Sequence, residues 1–325
     1  MAGYALRRIA LTVPVLLVVV TLVFVMMRAI GGDPLRPAPL AGLTAGQGWY
    51  KRGDPKPASI AANQRRKLGL DRPWYSQYAH YLRSVATLHF GATYSFRGRT
   101  VESVILSQAP ISAELGLLAL VWALGLGGTL GVLSALRAGS AVDGGTRAFT
   151  SLAAALPAFL VAVLLIQLFA VRLGLLPTSG WSGWRSKLLP SFVLGLVPAA
   201  YTARLLRAGL LETLRQEHVL TARGKGLRRR RVLGVHVART AVAPLVVALG
   251  PLVGYLVTGS FVVERVFAIP GIGRYYVAAV LARDYPLVLG LTVVLTLAIV
   301  VANLLVDLGH AALDPRVRER AVAGT

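Results

Sequence analysis

Residues that commonly catalyse reactions or hold metals are sparse in this sequence and lie far from one another. It contains five histidines and no cysteine. The histidines are His80, His89, His218, His236 and His310. No two of them combine metal-ligand spacing with a nearby carboxylate, and the hydrolase motifs G-x-S-x-G and H-E-x-x-H do not occur. The sequence therefore predicts no metal site and no catalytic residue, and without thiols it excludes disulfides.

A nucleotide site of the P-loop type is also not expected. The glycine-rich motif G-x-x-x-x-G-K-[ST], whose backbone amides hold phosphates, is absent. The nearest stretch is Arg223-Gly224-Lys225-Gly226. It lacks the upstream glycine, the following hydroxyl residue and a preceding strand. Small residues alternate with cations here, which favours close approach to a partner surface that carries acidic groups.

The elements that position these residues are predicted from long apolar runs. The chain is 55% hydrophobic and only 15% charged, unlike a soluble domain. A helix needs about 20 apolar residues to cross a bilayer core. The charge-free runs that meet this test are 9–27, 115–136, 148–171, 242–263 and 285–306. A shorter run, 188–203, extends to Leu211 if Arg204 and Arg207 reach for the interface. The predicted fold class is therefore all-α, a polytopic membrane protein with six transmembrane helices.

Basic residues predict the orientation. The net charge is +22, and in membrane proteins lysine and arginine collect on the cytoplasmic side. Both termini and the connections between spans two and three and between spans four and five carry arginines. All these segments fall on one side if six spans are counted. The first run is expected to be a retained span and not a cleaved signal peptide. We therefore predict cytoplasmic termini, with the basic segment 28–108 outside, because long loops translocate largely regardless of charge.

This topology divides the chain into three predicted parts. Residues 1–28 are an N-terminal tail and first span, 29–108 an extracytoplasmic subdomain, and 109–325 a five-span core with a cytoplasmic tail. Within the subdomain, helices are expected at 59–68 and 74–88. The basic connection 213–244 lies in the core, and its composition predicts two helices, 211–223 and 227–240, around a glycine turn. Gly226 is a candidate for a positive-φ helix stop at that turn.

The residues also bear on two other functional classes, a secondary carrier and a nucleic-acid-binding protein. A secondary carrier usually has ionisable residues within its spans, and none lies in the middle of a clear span, Glu114 being at the edge of the second. A nucleic-acid role for Arg228-Arg229-Arg230-Arg231 would be favoured by interleaved aromatic residues, and none occurs from 205 to 240. The carrier remains the lesser alternative.

The stretch Thr221-Ala222-Arg223-Gly224-Lys225-Gly226-Leu227 resembles the T-A-R-A-K-G-L coupling motif of peptide-class ABC importers that depend on a binding protein. His236, Arg239 and Pro244 match its H-x-x-R-x-x-x-x-P continuation. Further matches follow the family order over nearly the whole chain. They are Leu6-Arg7-Arg8, Asp33-Pro34, Leu68-Gly69-Leu70-Asp71-Arg72-Pro73, Leu176-Pro177-Thr178-Ser179-Gly180, Glu264-Arg265-Val266-Phe267-Ala268-Ile269-Pro270-Gly271-Ile272-Gly273-Arg274, Ala282-Arg283-Asp284-Tyr285-Pro286 and Leu313-Asp314-Pro315-Arg316-Val317-Arg318. The chain is similar to the B-type permease subunit of oligopeptide and dipeptide importers. It departs at Gly31, where the family usually has proline, and at Gly224, where it usually has alanine.

The resemblance implies a type I importer fold and a permease subunit of the bacterial inner membrane. Such a subunit forms half of the pathway for peptides that an extracytoplasmic binding protein delivers. The implied partners are a second permease and two ATPase subunits, separate or fused, which would hold ATP and magnesium; no cofactor is expected on this chain. Thr221, Ala222, Arg223, Gly224, Lys225, Gly226 and Leu227 are the expected ATPase-docking residues of a coupling helix. An outer motif comprises Glu264, Phe267, Pro270, Gly271 and Gly273. Substrate-binding residues are not identified, and a small solute such as a metal chelate remains an alternative substrate.

Overall fold

The computed structural model describes residues 2–29, 71–96, 98–228 and 231–313. Apart from an antiparallel bridge between Ala92 and Thr100, regular structure in these residues is helical. The α-helices, in chain order, are α1 (Ala2–Ala29), α2 (Trp74–Thr87), α3 (Val101–Leu136), α4 (Ala141–Ala155), α5 (Ala158–Leu165), α6 (Trp184–Thr213), α7 (Glu217–Gly224), α8 (Ala238–Val266), α9 (Ile272–Ala282) and α10 (Tyr285–Leu313). Two π-helical segments, π1 (Ile166–Arg172) and π2 (Val232–Val237), follow α5 and precede α8.

The apolar runs all fold as helices, which confirms the polytopic all-α class. Five helices in the described residues are long and apolar enough to cross a membrane: Leu11–Ala29 of α1, then α3, α6, Thr240–Val266 of α8 and Tyr285–Val306 of α10. The weakest run is part of the continuous helix α6, so its extension past Arg204 and Arg207 is confirmed. A bent pair, α4 with α5 and π1, brings the number of spans to six if it is counted as one.

The third span differs from the prediction because it is broken. The run 148–171 was expected to form one helix, whereas α4 and α5 meet at an angle of 107°. The break lies at Leu156, which has an extended backbone (φ −83, ψ 129), and at Pro157, which begins α5 (φ −61, ψ 136). Proline disfavours the helical conformation of the residue before it. An apolar run indicates burial in lipid, but apolar composition alone does not indicate where a helix changes direction.

The described residues form two compact units. Unit 1 contains residues 2–5, 112–269 and 299–313, and unit 2 contains 6–29, 71–111 and 270–298. The predicted boundaries at residues 28 and 108 concern membrane topology and stay predictions. The helix expected at 59–68 and the tail beyond Leu313 lie outside the described residues, whereas the helix expected at 74–88 is confirmed as α2.

Unit 1 is built on close backbone contact between α3 and α6. Small residues recur every four positions along the contact, on α3 at Ala119, Ala123, Gly127, Gly131 and Ala135, and on α6 at Gly195, Ala199 and Ala203. A Cβ atom added to Gly131 would lie 2.7 Å from the carbonyl oxygen of Ala203, and one on Gly195 would lie 2.6 Å from that of Ala119. Small-x-x-x-small spacing is typical of membrane helices, which lack a hydrophobic driving force and associate by close packing.

Unit 2 is organised around the buried carboxylate of Asp284, which precedes α10. One of its oxygens accepts hydrogen bonds from the backbone amides of Tyr94 (2.9 Å) and Ser95 (2.8 Å). The other accepts from the amide of Leu287 in the first turn of α10, at 3.3 Å. The carboxylate therefore caps α10 and holds the turn at 93–96 in place.

Apolar packing completes unit 2. Phe90, Val101 and Leu287 lie in one buried cluster. Elsewhere in the unit, α2 packs on α1 through Phe24, whose ring centroid lies 5.3 Å from those of both Tyr78 and Tyr81.

Candidate functional site

The basic connection 213–244 contains a short, separate helix between two long ones. Helix α6 ends at Thr213 and α7 begins at Glu217. The sequence predicted a single helix over 211–223, and this prediction is wrong at residues 214–216. There the amides of Arg215 and Gln216 bond to carbonyl oxygens three residues back, at 3.2 and 3.1 Å. Such bonds tighten the turn and end the long helix, so α7 is free to take its own direction.

Gly226 ends α7 in the left-handed conformation, with φ +75. The amide of Leu227 bonds back to the carbonyl oxygen of Ala222 at 3.4 Å. A left-handed glycine followed by this six-to-one bond is the Schellman arrangement, which pairs carbonyl groups left unbonded at a helix end. The interpretation of Gly226 as a positive-φ helix stop is therefore confirmed.

One face of α7 is buried and the other is exposed. Val219 and Ala222 lie in a cluster, here called the α7 cluster, that is formed by Ala135, Leu210, Val219, Ala222, Val232, Val237 and Ala241. It joins α7 to the ends of α3 and α6 and to the start of α8. Leu227 packs against its edge. A displacement of α7 is therefore opposed by contacts with three long helices of unit 1.

The exposed face carries four other residues of the coupling motif. Thr221, Gly224, Lys225 and Gly226 are exposed. Among the described residues, no atom lies within 4 Å of a Cβ placed on Gly224 or Gly226. A side chain at either position would therefore not clash with the rest of this chain. Only at Gly226 does the backbone conformation itself favour glycine. The side chains of Arg223, His236 and Arg239 lie outside the described part of the structure.

A charged clamp lies close to the α7 cluster, and the sequence reasoning missed it. Asp143 of α4 accepts two parallel hydrogen bonds from Arg207 of α6, from Nε at 2.7 Å and from Nη2 at 2.9 Å. Ser134 of α3 donates to the same carboxylate at 2.6 Å, and the amide of Gly139 donates at 3.0 Å. The Asp143 side chain is 2% exposed and that of Arg207 is 27% exposed. We call these four residues the Asp143 clamp; it joins α3, α4 and α6.

A sequence signal for this clamp does exist. Ser140 and Asp143 have the spacing of a helix N-terminal box, and the Ser140 side chain caps α4. Asp143 follows a run without acidic residues, and Arg207 lies in an apolar helix, so each needs a partner of opposite charge. Only the fold reveals that they are each other's partner, because they are 64 residues apart.

Nearer the middle of α3, Glu114 is paired as well. Its carboxylate accepts a hydrogen bond from Trp181 Nε1 at 3.0 Å and a very short one from the Lys187 ammonium. The Lys187 ammonium also lies 5.3 Å from the Trp181 ring centroid. The Glu114 side chain is 43% exposed and that of Lys187 is 25% exposed. The Glu114 carboxylate is therefore far more solvated than that of Asp143, which is 2% exposed.

Two segments that the family resemblance singled out meet in unit 1. Glu264 is fully buried and accepts a hydrogen bond from Ser112 Oγ at 2.7 Å. Phe267 is also buried, and its carbonyl oxygen accepts from the amide of Gly180 at 2.9 Å. The loop 176–180 is therefore attached to the outer motif, and Glu264 has a structural partner.

The rest of the outer motif belongs to unit 2. Pro270 lies half-buried before Gly271, which begins α9 with an extended backbone (φ −102, ψ 176). Gly273 is buried in the first turn of that helix. Both glycines therefore lie at the N-terminus of α9, Gly271 as its capping residue and Gly273 in its first turn.

The amino-acid sequence that forms these elements matches a known protein family. Residues 127–319 match the family described as binding-protein-dependent transport system inner membrane component. This match covers more than half of the chain. The chain belongs to that family.

Curated relatives match the permease over almost its full length. It is 36% identical over 318 residues to the dipeptide transport system permease protein DppB of Bacillus subtilis, with 98% of each chain covered. It is 33% identical over 320 residues to the oligopeptide transport system permease protein OppB of Haemophilus influenzae, covering 98% of this chain and 100% of the relative. The corresponding OppB of Salmonella typhimurium is 34% identical over 320 residues, with the same coverage.

The family match includes the candidate docking helix and the residues that hold it in unit 1. It contains α7, every residue of the α7 cluster and all four residues of the Asp143 clamp. The first 126 residues lie outside it, but the curated relatives cover 98% of the chain and so include most of that region as well. The chain is therefore a multi-pass membrane component of a binding-protein-dependent transport system.

Proposed function

We propose that this permease imports dipeptides or oligopeptides as one half of the translocation pathway of an ATP-driven importer. The observation that carries the proposal is its similarity, at 33–36% identity over 98% of the chain, to proteins named as dipeptide and oligopeptide permeases. An extracytoplasmic binding protein delivers the peptide, and a second homologous permease supplies the other half of the pathway. A metal chelate is the alternative cargo.

ATP is hydrolysed on two partner subunits, which hold ATP and magnesium. Helix α7 is the docking element for one of them. Its shape supports this role: one face is packed into unit 1, while Thr221, Gly224 and Lys225 are exposed. Lys225 attracts acidic groups at the rim of the partner's groove, and the two glycines let the partner approach the backbone.

The orientation follows from the docking role. Both termini and α7 face the cytoplasm in the bacterial inner membrane, and the segment 28–108 faces outward. The basic residues at the termini and around α7 support this orientation, because the cytoplasmic segments of membrane proteins carry an excess of lysine and arginine.

The decisive experiment is reconstitution. The chain is co-expressed with the second permease, the ATPases and the binding protein, and the purified complex is placed in liposomes with ATP inside. Labelled di-, tri- and pentapeptides and a nickel chelate are offered outside with the binding protein. We expect ATP-dependent uptake of at least one peptide and none of the chelate. Uptake of the chelate alone would refute the peptide proposal.

A second arm tests the assignment of the ATPase. The isolated chain, purified without its partners, should hydrolyse no ATP, because it lacks a phosphate-binding loop. Turnover should appear when the ATPase chains are added. A matched preparation of the chain from a host that lacks those ATPases controls for contamination, and turnover in that preparation would contradict the assignment.

A further inference from the structure

The Asp143 clamp and the α7 cluster lie next to each other along the same helices. On α3, Ser134 belongs to the clamp and Ala135 to the cluster. On α6, Arg207 belongs to the clamp and Leu210, three residues on, to the cluster. Residues three apart on a helix are surface neighbours. The contacts that hold α7 are thus continuous with those that hold the start of α4.

The geometry of the clamp fixes direction as well as distance. Two parallel bonds join Arg207 to Asp143, and two further donors, Ser134 Oγ and the Gly139 amide, reach the same carboxylate. A planar guanidinium that is paired in this way cannot rotate without breaking a bond. The start of α4 therefore keeps one orientation relative to α3 and α6.

The other end of α4 is the point where the third span bends. Leu156 and Pro157 separate α4 from α5 at an angle of 107°. Helix α4 packs against α6, whereas α5 packs against α6 and α8. A helix that is clamped at one end and meets a proline break at the other moves as a lever, because its own hydrogen bonds keep it straight and the break takes up the angle.

We propose that Arg207 and Asp143 are positioning residues for transport, which pass the displacement of α7 to α4 and so to the bend at Pro157. The inference rests on the proposed function, since α7 moves only if an ATPase docks on it. Replacing a whole buried ion pair often costs little stability, whereas removing one partner leaves the other charge unpaired and is destabilising. The clamp fixes how the three helices move together, and removing it uncouples ATP turnover from transport while the complex remains assembled.

The test measures peptide uptake and ATP turnover in the same proteoliposomes. Arg207→Gln and Asp143→Asn each remove the ion pair. We expect uptake per ATP hydrolysed to fall at least about fivefold, the lower end of typical coupling between sites. In the double variant, which leaves no unpaired charge, ATP turnover and the amount of assembled complex should stay within about twofold of wild type. In uptake per ATP hydrolysed, the double variant should match the single variants that assemble, because all of them remove the same interaction.

The matched control is Arg204→Gln, which removes an exposed arginine from the same helix one turn earlier and should leave uptake per ATP unchanged. Arg207→Lys keeps the charge but cannot form the two parallel hydrogen bonds of the guanidinium, and its uptake per ATP hydrolysed should lie below that of wild type. If Arg207→Gln does not assemble, the inference is tested with Arg207→Lys. A wild-type ratio in the assembled Arg207 variants would overturn the inference. Failure of wild type and Arg204→Gln to take up any peptide would instead overturn the proposed function.

Discussion

Two glycines in the coupling motif should respond to the same substitution with opposite sign. Gly226 has φ +75, whereas Gly224 is the last residue of α7 and has no left-handed backbone. Among the described residues, neither has an atom within 4 Å of an added Cβ. Steric clash is therefore absent at both sites, and the backbone conformation alone determines the effect.

The magnitudes follow from that difference. A non-glycine residue in the left-handed region costs about 1 kcal/mol, so Gly226→Ala should loosen the end of α7 by that amount. In a helical conformation, alanine is favoured over glycine by up to about 1 kcal/mol. Gly224→Ala should therefore stabilise α7, and it restores the alanine that the T-A-R-A-K-G-L motif has at this position.

Hydrogen exchange of the solubilised complex measures both effects locally. The amides of Lys225 and Leu227 bond to the carbonyl oxygens of Thr221 and Ala222, and they exchange only when the end of α7 opens. A change of about 1 kcal/mol corresponds to about a fivefold change in exchange rate, since 1.4 kcal/mol is tenfold. Gly226→Ala should accelerate the exchange and Gly224→Ala should slow it. Equal shifts in the same direction would refute the assignment of the two roles.

A comparison of Gly226 with Arg228 distinguishes a docking helix from a basic loop that is only solvated. Gly226→Leu should lose ATPase co-purification and substrate-stimulated ATP turnover, because a bulky side chain blocks close approach of the partner. Arg228→Ala, on the exposed chain just beyond, should change stability by no more than about 0.5 kcal/mol and should keep both properties. If Gly226→Leu behaves as wild type while Arg228→Ala loses its ATPase, the contact is electrostatic and the docking turn lies elsewhere.

Three further predictions concern topology and the two units. In this cysteine-free chain, a single cysteine at Asn63 should react with an impermeant thiol reagent in intact cells and one at Arg228 should not; the reverse pattern would overturn the topology. Burial raises the pKa of the Asp284 carboxyl, and this effect is larger than the opposite effect of the hydrogen bonds from Ser95 and Tyr94, which lower the pKa. The folded protein therefore binds this proton more tightly than the unfolded chain. Its contribution to stability is complete below the ordinary pKa of about 3.9 and is lost as the pH rises through the higher folded value. Thermal unfolding across that range should show the decline, and Asp284→Asn should abolish it. The Thr202 hydroxyl is fully buried in α6 without a hydrogen-bond partner among the described residues. Thr202→Val should therefore leave the melting temperature unchanged or raise it, and a marked drop would show that the hydroxyl has a partner.

Several features of the molecule were predictable because they depend on a few neighbouring residues. Each apolar run became helical, one of them with a break at Leu156, since the length of a run decides whether it can cross a bilayer. The positive φ at Gly226 follows from the turn that glycine permits. The break at Pro157 is equally local, since proline disfavours the helical conformation of the residue before it, but the absence of charge along the run does not indicate it.

Other features depend on residues far apart in the sequence, and no local pattern specifies them. Ala222 looked like a small residue that a partner could approach, yet its side chain packs against Ala135 and Leu210 of its own chain. Glu264 and Gly180 were recognised as parts of separate motifs, and only the fold places the two segments together. Small residues on α3 could have faced any of the other spans.

The sequence by itself determined that this is a helical membrane protein, where most of its spans lie and where α7 ends, because burial in lipid and backbone freedom are properties of single residues and short runs. Only the tertiary structure decided that Asp143 pairs with Arg207 and that α7 is seated on three long helices. An ion pair needs two side chains within about 4 Å, and residues 64 positions apart reach that distance only when close packing of α3, α4 and α6 has set the angles between them.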